Sequence, residues 1–429
     1  MAPKHRYTLF SMMKDEGHSL VEWVAYHHMI GFDNICVYTN DCGDGTDEML
    51  IRLQEMGYCQ HFRNDVPEGG RPQPNALRLA RKNDEILDSE WIMVMDADEF
   101  VSIKTGDHTL KALMAEIPKD AWAIAMTWQF FGSGDILDWD PGLVTEAYTR
   151  CAPAKFRKGW GVKTMFRPAS DVAFGIHRPK VKGGDKNPDN IAAMLGRKWV
   201  NGSGKEMPKE FNLSGWRSTS PTIGRDLVEL NHYAVKSYEA YLLRRVRGNV
   251  NNKVGKYNAE YFAIFDRNEM VELNAQRLGA RTRDVMAKIR EDATIRTLEA
   301  RAMAFHKERV KLLRDSGEYE EWVSELRDAG RTPIDQLDDV LFTHHLPKEW
   351  QVKVKEMQAQ GVPNKEIANY IHGSKTARKT ARRAAMAEAA AQTGAEDVTV
   401  TTHGGDTVSN AARRHREALE ATKLAAGKG

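Results

Sequence analysis

The sequence Trp91-Ile92-Met93-Val94-Met95-Asp96-Ala97-Asp98-Glu99-Phe100 changes abruptly from apolar to acidic. A continuous apolar run of this kind is typical of a strand buried on both faces, as in a parallel sheet. The acids would follow the carboxyl end of that strand, where open α/β sheets bind ligands. Side chains two positions apart in an extended backbone point the same way, so Asp96 and Asp98 are expected to face one point. Such a carboxylate pair suits a hard divalent cation. The alternative is a polar strand end with solvated acids.

Strands and helices alternate along the chain up to this stretch. The pattern predicts strands over 7–13, 34–38 and 58–63 and helices over 19–30, 47–56 and 75–87. This alternation predicts an α/β fold with a doubly wound, mainly parallel sheet. The loops 14–18, 39–46 and 96–100 would then lie along one edge of the sheet. No glycine-rich dinucleotide or P-loop pattern opens a helix here, which disfavours those two kinds of nucleotide site.

The composition of the chain limits its number of domains, its class of binding partner and its cellular compartment. The chain has 429 residues, enough for two or three domains, and a net charge of +2 that gives no strong case for nucleic acid. Its four cysteines show no zinc-ligand spacing, and free thiols in a reducing cytosol are expected. No stretch approaches the length of a membrane span. We therefore expect a cytoplasmic protein, with at most peripheral contact at the inner face of the membrane.

The pattern is less regular beyond the acidic motif. Strands are predicted over 121–131 and 163–167, and the segment near 171–178 is a further short strand candidate. The Gly-, Asn-, Pro- and Ser-rich segment 183–220 is predicted to be a loop and a candidate flap, after which 225–233 leads to Asn231-His232-Tyr233. Ser237 is predicted to cap a basic amphipathic helix, and 269–329 is strongly helical in pattern. The predicted domains are 1–252, an α/β domain; 253–372, a helical extension; and 373–429, a basic, Ala-rich tail expected to be disordered.

Six motifs in this order resemble a bacterial branch of the family 2-like glycosyltransferases that overlaps in motif with the family 92 type. They lie within about 250 residues, and the resemblance ends near Asn252. The motifs are Lys14-Asp15-Glu16 with Glu22-Trp23 and Tyr26-His27; Asn40-Asp41-Cys42-Gly43-Asp44-Gly45-Thr46; Asp96-Ala97-Asp98-Glu99-Phe100; Trp128 with Phe131-Gly132-Ser133-Gly134; Lys163 with Arg167-Pro168; and His232-Tyr233 with Lys236-Ser237 and Arg247-Gly248.

The resemblance implies a GT-A-like fold and transfer of a sugar from a nucleotide-diphosphate donor, with a UDP-sugar favoured. It implies that Asp96 and Asp98 form a DXD motif that binds Mn²⁺ or Mg²⁺, because a divalent cation offsets the charge of the leaving diphosphate. Asp98 is the expected principal ligand, and Asp96 contacts the ribose or the metal. His232 is the candidate third ligand, with a structural histidine as the alternative, and His177 is the next candidate.

Basic and polar residues complete the expected donor site. Lys163 and Lys236 are candidates for neutralising phosphate charge, and Arg71 lies in the loop where related folds contact the base or ribose. Lys14, Glu16, Asn40 and Asp44 would hold the base and ribose. Each basic side chain could instead be a solvated surface charge, and Asp44 could only cap the following helix.

An inverting reaction requires a general base that takes the proton of the acceptor hydroxyl. Asp135 is the predicted base, and Asp138, Asp140 and Glu99 are the other candidates. The family usually carries a histidine shortly after the Phe-Gly-Ser-x-Gly stretch, where this chain has Asp135, so the role of that position departs from the pattern.

These residues predict a metal-dependent glycosyltransferase acting on a saccharide or another hydroxyl acceptor, as in surface polysaccharide or glycoconjugate synthesis. The alternative is an inactive GT-A-fold protein that binds glycans or acts as a scaffold through its helical region. Nucleic-acid binding through the basic cluster Lys375–Arg383 is disfavoured, because the cluster has no interleaved aromatic residues. That segment could equally contact anionic lipid.

Overall fold

The computed structural model describes residues 3–184, 187–213, 215–219, 222–247, 256–337, 348–363 and 366–367. Its first quarter alternates strands and helices as predicted. The strands are β1 (His5–Met13), β2 (Asn34–Thr39), β3 (Gln60–Arg63) and β4 (Ser89–Met95). The helices are α1 (Gly17–Met29), α2 (Thr46–Glu55), α3 (Pro72–Ala80) and α4 (Asp84–Leu87).

Shorter strands and helices follow the acidic motif. They are β5 (Glu99–Ile103), α5 (Leu110–Glu116), β6 (Ala123–Phe130), α6 (Val144–Ala147), β7 (Arg150–Cys151), β8 (Val162–Phe166), β9 (Val172–Ala173), β10 (Lys180–Val181), α7 (Pro188–Gly196), β11 (Trp199–Asn201) and β12 (Val228–His232). The rest is mainly helical. It comprises α8 (Tyr238–Arg247), α9 (Ala259–Phe265), β13 (Met270–Val271), α10 (Gly279–Ile289), α11 (Ala293–Arg314), α12 (Tyr319–Gly330), α13 (Ile334–Leu337) and α14 (Lys348–Ala359).

One sheet organises the fold, with strand order β3-β2-β1-β4-β8-β6-β12-β5, and β11 pairs with β6. Strands β1 to β4 are mutually parallel, and β12 is parallel to β6. Strand β8 runs antiparallel between β4 and β6, and β5 runs antiparallel to β12 at the edge. The predicted fold class, a mainly parallel α/β sheet followed by helices, is confirmed.

Both faces of the sheet are covered. Along β1, Leu9 points into a core shared with α1, α2, α10 and α11, whereas the next residue, Phe10, points into a second core under α3 and α7. Along β4, Met93 and Val94 divide in the same way. Burial on both faces explains why Trp91–Met95 of β4 is apolar without interruption. A third core joins α8, α9, α11 and α12.

Two predicted segments are wrong. The helix predicted over 75–87 is divided into α3, which ends at Ala80, and α4, because the Asn83 side chain starts a new helix by accepting the Glu85 N–H at 3.1 Å. The segment 183–220 contains α7 and β11, where Asn187 caps α7 and Ile191 packs into the second core. Asn-Pro at 187–188 is a helix start signal that the compositional interpretation overlooked.

Several predictions concern residues outside the described ranges. They include the tail 373–429, the cluster Lys375–Arg383, and the proposed boundary near Asn252. No described helix has both the length and the apolar character needed to cross a membrane.

Candidate functional site

The sheet topology brings the acidic motif, a lysine and a histidine to one edge. Strands β4 and β12 end there, and the antiparallel β8 begins there. Asp96 and Asp98 follow β4, His232 ends β12, and Lys163 lies near the start of β8. A cavity of about 390 Å³ opens at this edge, and Asp96, Asp98 and His232 line it.

Asp98 is held by a cation from α8. Its Oδ2 accepts a hydrogen bond from Arg244 Nη1 at 2.9 Å, and its Oδ1 lies 3.6 Å from His232 Nε2. Arg244 is fixed in turn by the Tyr257 hydroxyl at 3.2 Å and by the ring of Tyr257 below its guanidinium. Burial alone would raise the pKa of Asp98, but Arg244 and His232 outweigh burial and hold it well below its usual range. Asp98 is therefore ionised at neutral pH.

Asp96 belongs to a buried network beneath the cavity. Lys163, whose side chain is fully buried, donates from Nζ to Asp96 Oδ2 at 2.9 Å and lies 3.4 Å from Glu99 Oε2. Glu99 accepts hydrogen bonds from the Asp96 N–H at 2.8 Å and from Trp128 Nε1 at 2.7 Å. Burial raises the pKa of Glu99 to about 8, although Lys163 opposes the shift. The network fixes the direction of the Asp96 carboxylate.

The structure brings most of the predicted donor-site residues together. Those that line the cavity are Lys14, Glu16, Asp96, Asp98, His177, His232 and Lys236. Lys163 reaches the site through Asp96 rather than through the cavity wall. His177 lies 5.4 Å from the Trp128 ring, and burial, followed by the nearby Lys163, lowers its pKa to about 3. It is therefore a neutral imidazole at physiological pH.

Besides Lys163, four predicted residues lie outside the cavity lining. Arg71 is exposed before α3, and the Asn40 amide donates to Asp41 in the loop after β2. Asp135 is exposed, with its Oδ1 3.4 Å from the Tyr238 hydroxyl. Asp44 is buried and accepts the Gly17 N–H at 2.8 Å and the Thr46 N–H at 2.9 Å, which is the capping alternative for that residue.

The other candidate bases also lie away from the cavity. Asp138 pairs with Arg314 at 2.8 Å on the surface, Asp140 is exposed, and Glu99 lies beneath the cavity. None of the four acids considered for that role, Asp135 included, lines the cavity that holds Asp96 and Asp98.

Several cavity residues are missed by sequence reasoning. They are His18, Arg244, Lys256, Tyr257, Tyr261, Phe265, His306 and Arg309. Arg247, which belongs to the sixth motif but was given no role there, and Trp216 also line the cavity. Most come from α8 and later segments. The basic face of α8 was a visible signal, because Arg244 and Arg247 are three positions apart and so share one side of a helix. His306 and Arg309 carry no such signal in an ordinary amphipathic helix.

The donor atoms at the acidic motif suit a divalent cation that a diphosphate also binds. Asp96 Oδ1 makes no hydrogen bond or ion pair with any residue that the structure describes. Among the described residues, no three His, Cys, Asp or Glu side chains form a complete metal cage. Mg²⁺ commonly takes one or two carboxylates and completes its shell with phosphate oxygens and water, so a complete cage is not required. Asp96 Oδ1 fits that mode of binding, whereas Asp98 accepts a hydrogen bond from Arg244 at 2.9 Å and would have to give up that contact to bind a cation.

The comparisons with known proteins give local similarity to glycosyltransferases. No family model matches the chain. A glycosyltransferase family 92 protein of Ricinus communis is 26% identical over 102 residues, which are 24% of this chain and 18% of the relative. A family 92 protein of Oryza sativa subsp. japonica is 26% identical over 110 residues, 26% of this chain and again 18% of the relative. The chain thus matches less than a fifth of the length of these relatives.

Structural comparison finds the S. aureus protein TarS. The match to its 1–349 fragment spans 86% of this chain and 92% of the fragment, with 12% sequence identity and a TM-score of 0.30. The same fragment in complex with UDP-GlcNAc gives 12% identity and a TM-score of 0.29. Similarity at this level is too low to define the fold, which is instead described by the strand order and pairing given above.

Proposed function

We propose that this chain is a glycosyltransferase that moves a sugar from a nucleotide-diphosphate donor, with a UDP-sugar favoured, to a hydroxyl acceptor. The observation that carries the proposal is the cavity in which Asp96 and Asp98 face Lys236, Arg244 and Arg247. A site with paired carboxylates and several cations suits a diphosphate bound together with a metal. The local similarity to two family 92 proteins supports the same reaction class.

The reaction needs charge stabilisation at the leaving group. When the bond between the sugar and the diphosphate breaks, the diphosphate oxygens gain negative charge. Lys236 and Arg247 line the cavity and would bind that charge as it develops. Asp96 and Asp98 would hold Mn²⁺ or Mg²⁺, which would supply further positive charge at the same oxygens.

The buried network gives Lys163 a positioning role. Its ammonium is bonded to Asp96 and is closed off from the cavity by burial, so it does not contact a diphosphate directly. By holding one oxygen of Asp96, Lys163 leaves the other oxygen directed away from the ion pair. Correct orientation of a metal-binding carboxylate depends on such partners.

Aromatic side chains support a saccharide acceptor. Trp216 is 46% exposed and lines the cavity, with its ring 5.1 Å from that of His177. Tyr261 and Phe265, whose rings stack with centroids 4.1 Å apart, also line the cavity. Aromatic faces suit the apolar side of a pyranose ring. We propose a saccharide or another hydroxyl compound as acceptor, as in the synthesis of surface polysaccharide or glycoconjugates.

Transfer of a radiolabelled sugar from a panel of UDP-, GDP-, CMP- and dTDP-sugars, with and without Mn²⁺, tests the proposal. Asp98→Asn should reduce turnover by about 100-fold or more, because loss of one carboxylate weakens metal binding and leaves Arg244 unpaired. Asp120→Asn, which removes an exposed acid that pairs with Lys198, should leave turnover unchanged. Equal turnover and equal Mn²⁺-dependent UDP binding in wild type and Asp98→Asn would overturn the proposal.

The exposed ring of Trp216 also favours a second candidate, a glycan-binding protein without transfer activity. The two candidates differ in their need for a nucleotide. If the chain only binds glycans, calorimetry should show no heat of binding for UDP with Mn²⁺. If it is a glycosyltransferase, UDP with Mn²⁺ should give a clear heat of binding.

A further inference from the structure

Helix α11 forms one wall of the cavity although it lies outside the region that resembles glycosyltransferases. It packs against α1, α2 and α8. Its buried side includes Ile295, Leu298 and Ala302, which share a core with the sheet. The same helix places His306 and Arg309 in the cavity lining, close to the loop that follows β1. The helical region is therefore part of the site and not only an appendage.

Ring stacking fixes the position of this wall. The rings of His18 and His306 stack with centroids 4.2 Å apart, and His306 lies 4.3 Å from Trp139. Burial lowers the pKa of His306 to about 3, and burial with His306 nearby lowers that of His18 well below its usual value. Both histidines are therefore neutral at physiological pH, and their rings add no charge to this part of the cavity lining.

Three cations meet beside these rings. Arg309 Nη1 lies 4.0 Å from Asp15 Oδ2, and Arg247 Nη1 lies 3.5 Å from Glu16 Oε1. Lys236 makes no hydrogen bond or ion pair with any residue that the structure describes, and it lines the cavity. Asp15, Glu16 and the buried Asp44 oppose the positive charge at Arg309. Burial, and then Arg247, lowers the pKa of Arg309, which reflects this crowding of positive charge.

The backbone at Lys236 supports a binding role. Its φ of 60° is left-handed, a conformation that is uncommon for a residue with a side chain. Lys236 lies between β12 and α8, and Ser237 caps α8 by accepting the Ala240 N–H at 3.2 Å. Strained residues of this kind cluster at ligand sites. The flanking β12 and α8 impose this conformation, and Lys236 lines the cavity.

We propose that Arg309 of α11, together with Lys236 and Arg247, forms an anion subsite for a phosphoryl group of the donor diphosphate. The proposal rests on the proposed function for the identity of the donor, but the anion chemistry follows from the three cations themselves. Guanidinium groups bind phosphate oxygens through paired, charge-assisted hydrogen bonds. Helix α11 then completes the donor site in the cavity that the acidic motif also lines.

Calorimetry on the full chain with pyrophosphate, UDP and uridine tests the subsite. Arg309→Gln should weaken binding of pyrophosphate and of UDP by about 10-fold or more, the loss expected for a charge-assisted hydrogen bond, and leave uridine binding unchanged. Arg309→Lys should recover part of the affinity. Lys311→Gln, which removes an exposed charge from the same helix, should bind all three ligands like wild type.

A second measurement needs no variant. Phenylglyoxal modifies accessible arginines, and peptide mass spectrometry reports each site. Pyrophosphate should protect Arg309 and leave the modification of exposed Arg301 on the same helix unchanged. Equal modification of Arg309 with and without pyrophosphate, or unchanged pyrophosphate affinity in folded Arg309→Gln, would overturn the subsite.

The two proposals fail in different ways. Pyrophosphate binding that depends on Arg309, in a chain that transfers no sugar from any donor, would keep the subsite and remove the glycosyltransferase. Normal sugar transfer with an unchanged KM for the donor in Arg309→Gln would keep the enzyme and remove the subsite.

Discussion

Glu99 is a fully buried acid that contributes to the site without lining the cavity. Its two oxygens accept hydrogen bonds from the Asp96 N–H and from Trp128, and Lys163 lies 3.4 Å away. Burial raises its pKa from 4.5 to about 8. The folded chain therefore keeps a proton on Glu99 over a pH range in which the unfolded chain has released it.

The free energy of unfolding should consequently fall as pH rises from about 4.5 through about 8, because the unfolded state releases the Glu99 proton first. Glu99→Gln cannot titrate and should gain stability relative to wild type by a few kcal/mol, on the order expected for a shift of several pKa units, between pH 5 and pH 9. Urea unfolding at pH 5, 7 and 9 measures this. Exposed Glu68→Gln is the matched control, and parallel pH profiles for wild type and Glu99→Gln would contradict the raised pKa.

Residues that are close along the chain were the ones that sequence reasoning could place. Asp96 and Asp98 line one cavity, as predicted, but for a different reason. Ala97 and Asp98 lie in a turn in which the Glu99 N–H donates to the Asp96 carbonyl at 3.2 Å, so the extended backbone assumed in the prediction is not what brings the two acids together. Arg244, which holds Asp98, comes 146 residues later. Pairing over such a distance depends on how α8 packs against the edge of the sheet, and no local pattern encodes that packing.

At the scale of elements, the loop after β2 is tied to the start of α1 by one carboxylate. Asp44 Oδ2 accepts the Gly17 N–H at 2.8 Å, and its Oδ1 accepts both the N–H and the hydroxyl of Thr46. Asp44→Asn should lower the free energy of unfolding by about 1–2 kcal/mol, because a buried N–H loses a charged acceptor. Urea unfolding and UDP calorimetry measure the two consequences.

The same pair of measurements separates a cap from a ligand at this position. If Asp44 only caps, UDP affinity stays within about twofold of wild type, a range of less than 1 kcal/mol, while stability falls. Asp41→Asn, an exposed change in the same loop, should alter neither quantity. A large loss of UDP affinity in Asp44→Asn without loss of stability would instead support the predicted role in base or ribose binding.

The elements themselves were predictable where periodicity was strong. Strands β1, β2 and β4 and helices α1 and α2 lie within a few residues of their predicted bounds. The insertion of antiparallel β8 between β4 and β6 was not predictable, because strand pairing is a tertiary choice. That insertion brings Lys163 beneath Asp96. The motif had identified Lys163 as a candidate, and the unpredicted strand pairing explains how it reaches the site.

At the scale of the whole molecule, the helices after α9 and the sheet share a core. Ile289, Ile295 and Leu298 belong to the same buried cluster as Leu20 and Val24 of α1. The predicted domain boundary near Asn252 stays a prediction. Described residues that come before and after that position pack together in one core. A hydrophobic cluster that spans the sheet and α11 couples their unfolding, because separating the two would expose apolar surface on both.

Leu298→Ala should therefore shift the unfolding of the sheet as well as that of α11. Leu298 is 8% exposed, and truncating it leaves a cavity that should cost roughly 2–4 kcal/mol. Leu312→Ala, on the same helix but 62% exposed, removes the same atoms and should change stability by less than about 0.5 kcal/mol. Urea unfolding followed by tryptophan fluorescence and by far-UV circular dichroism should give one coincident transition, displaced equally in both signals by Leu298→Ala. Two separate transitions, with only the helical signal displaced, would show that α11 belongs to an independent unit.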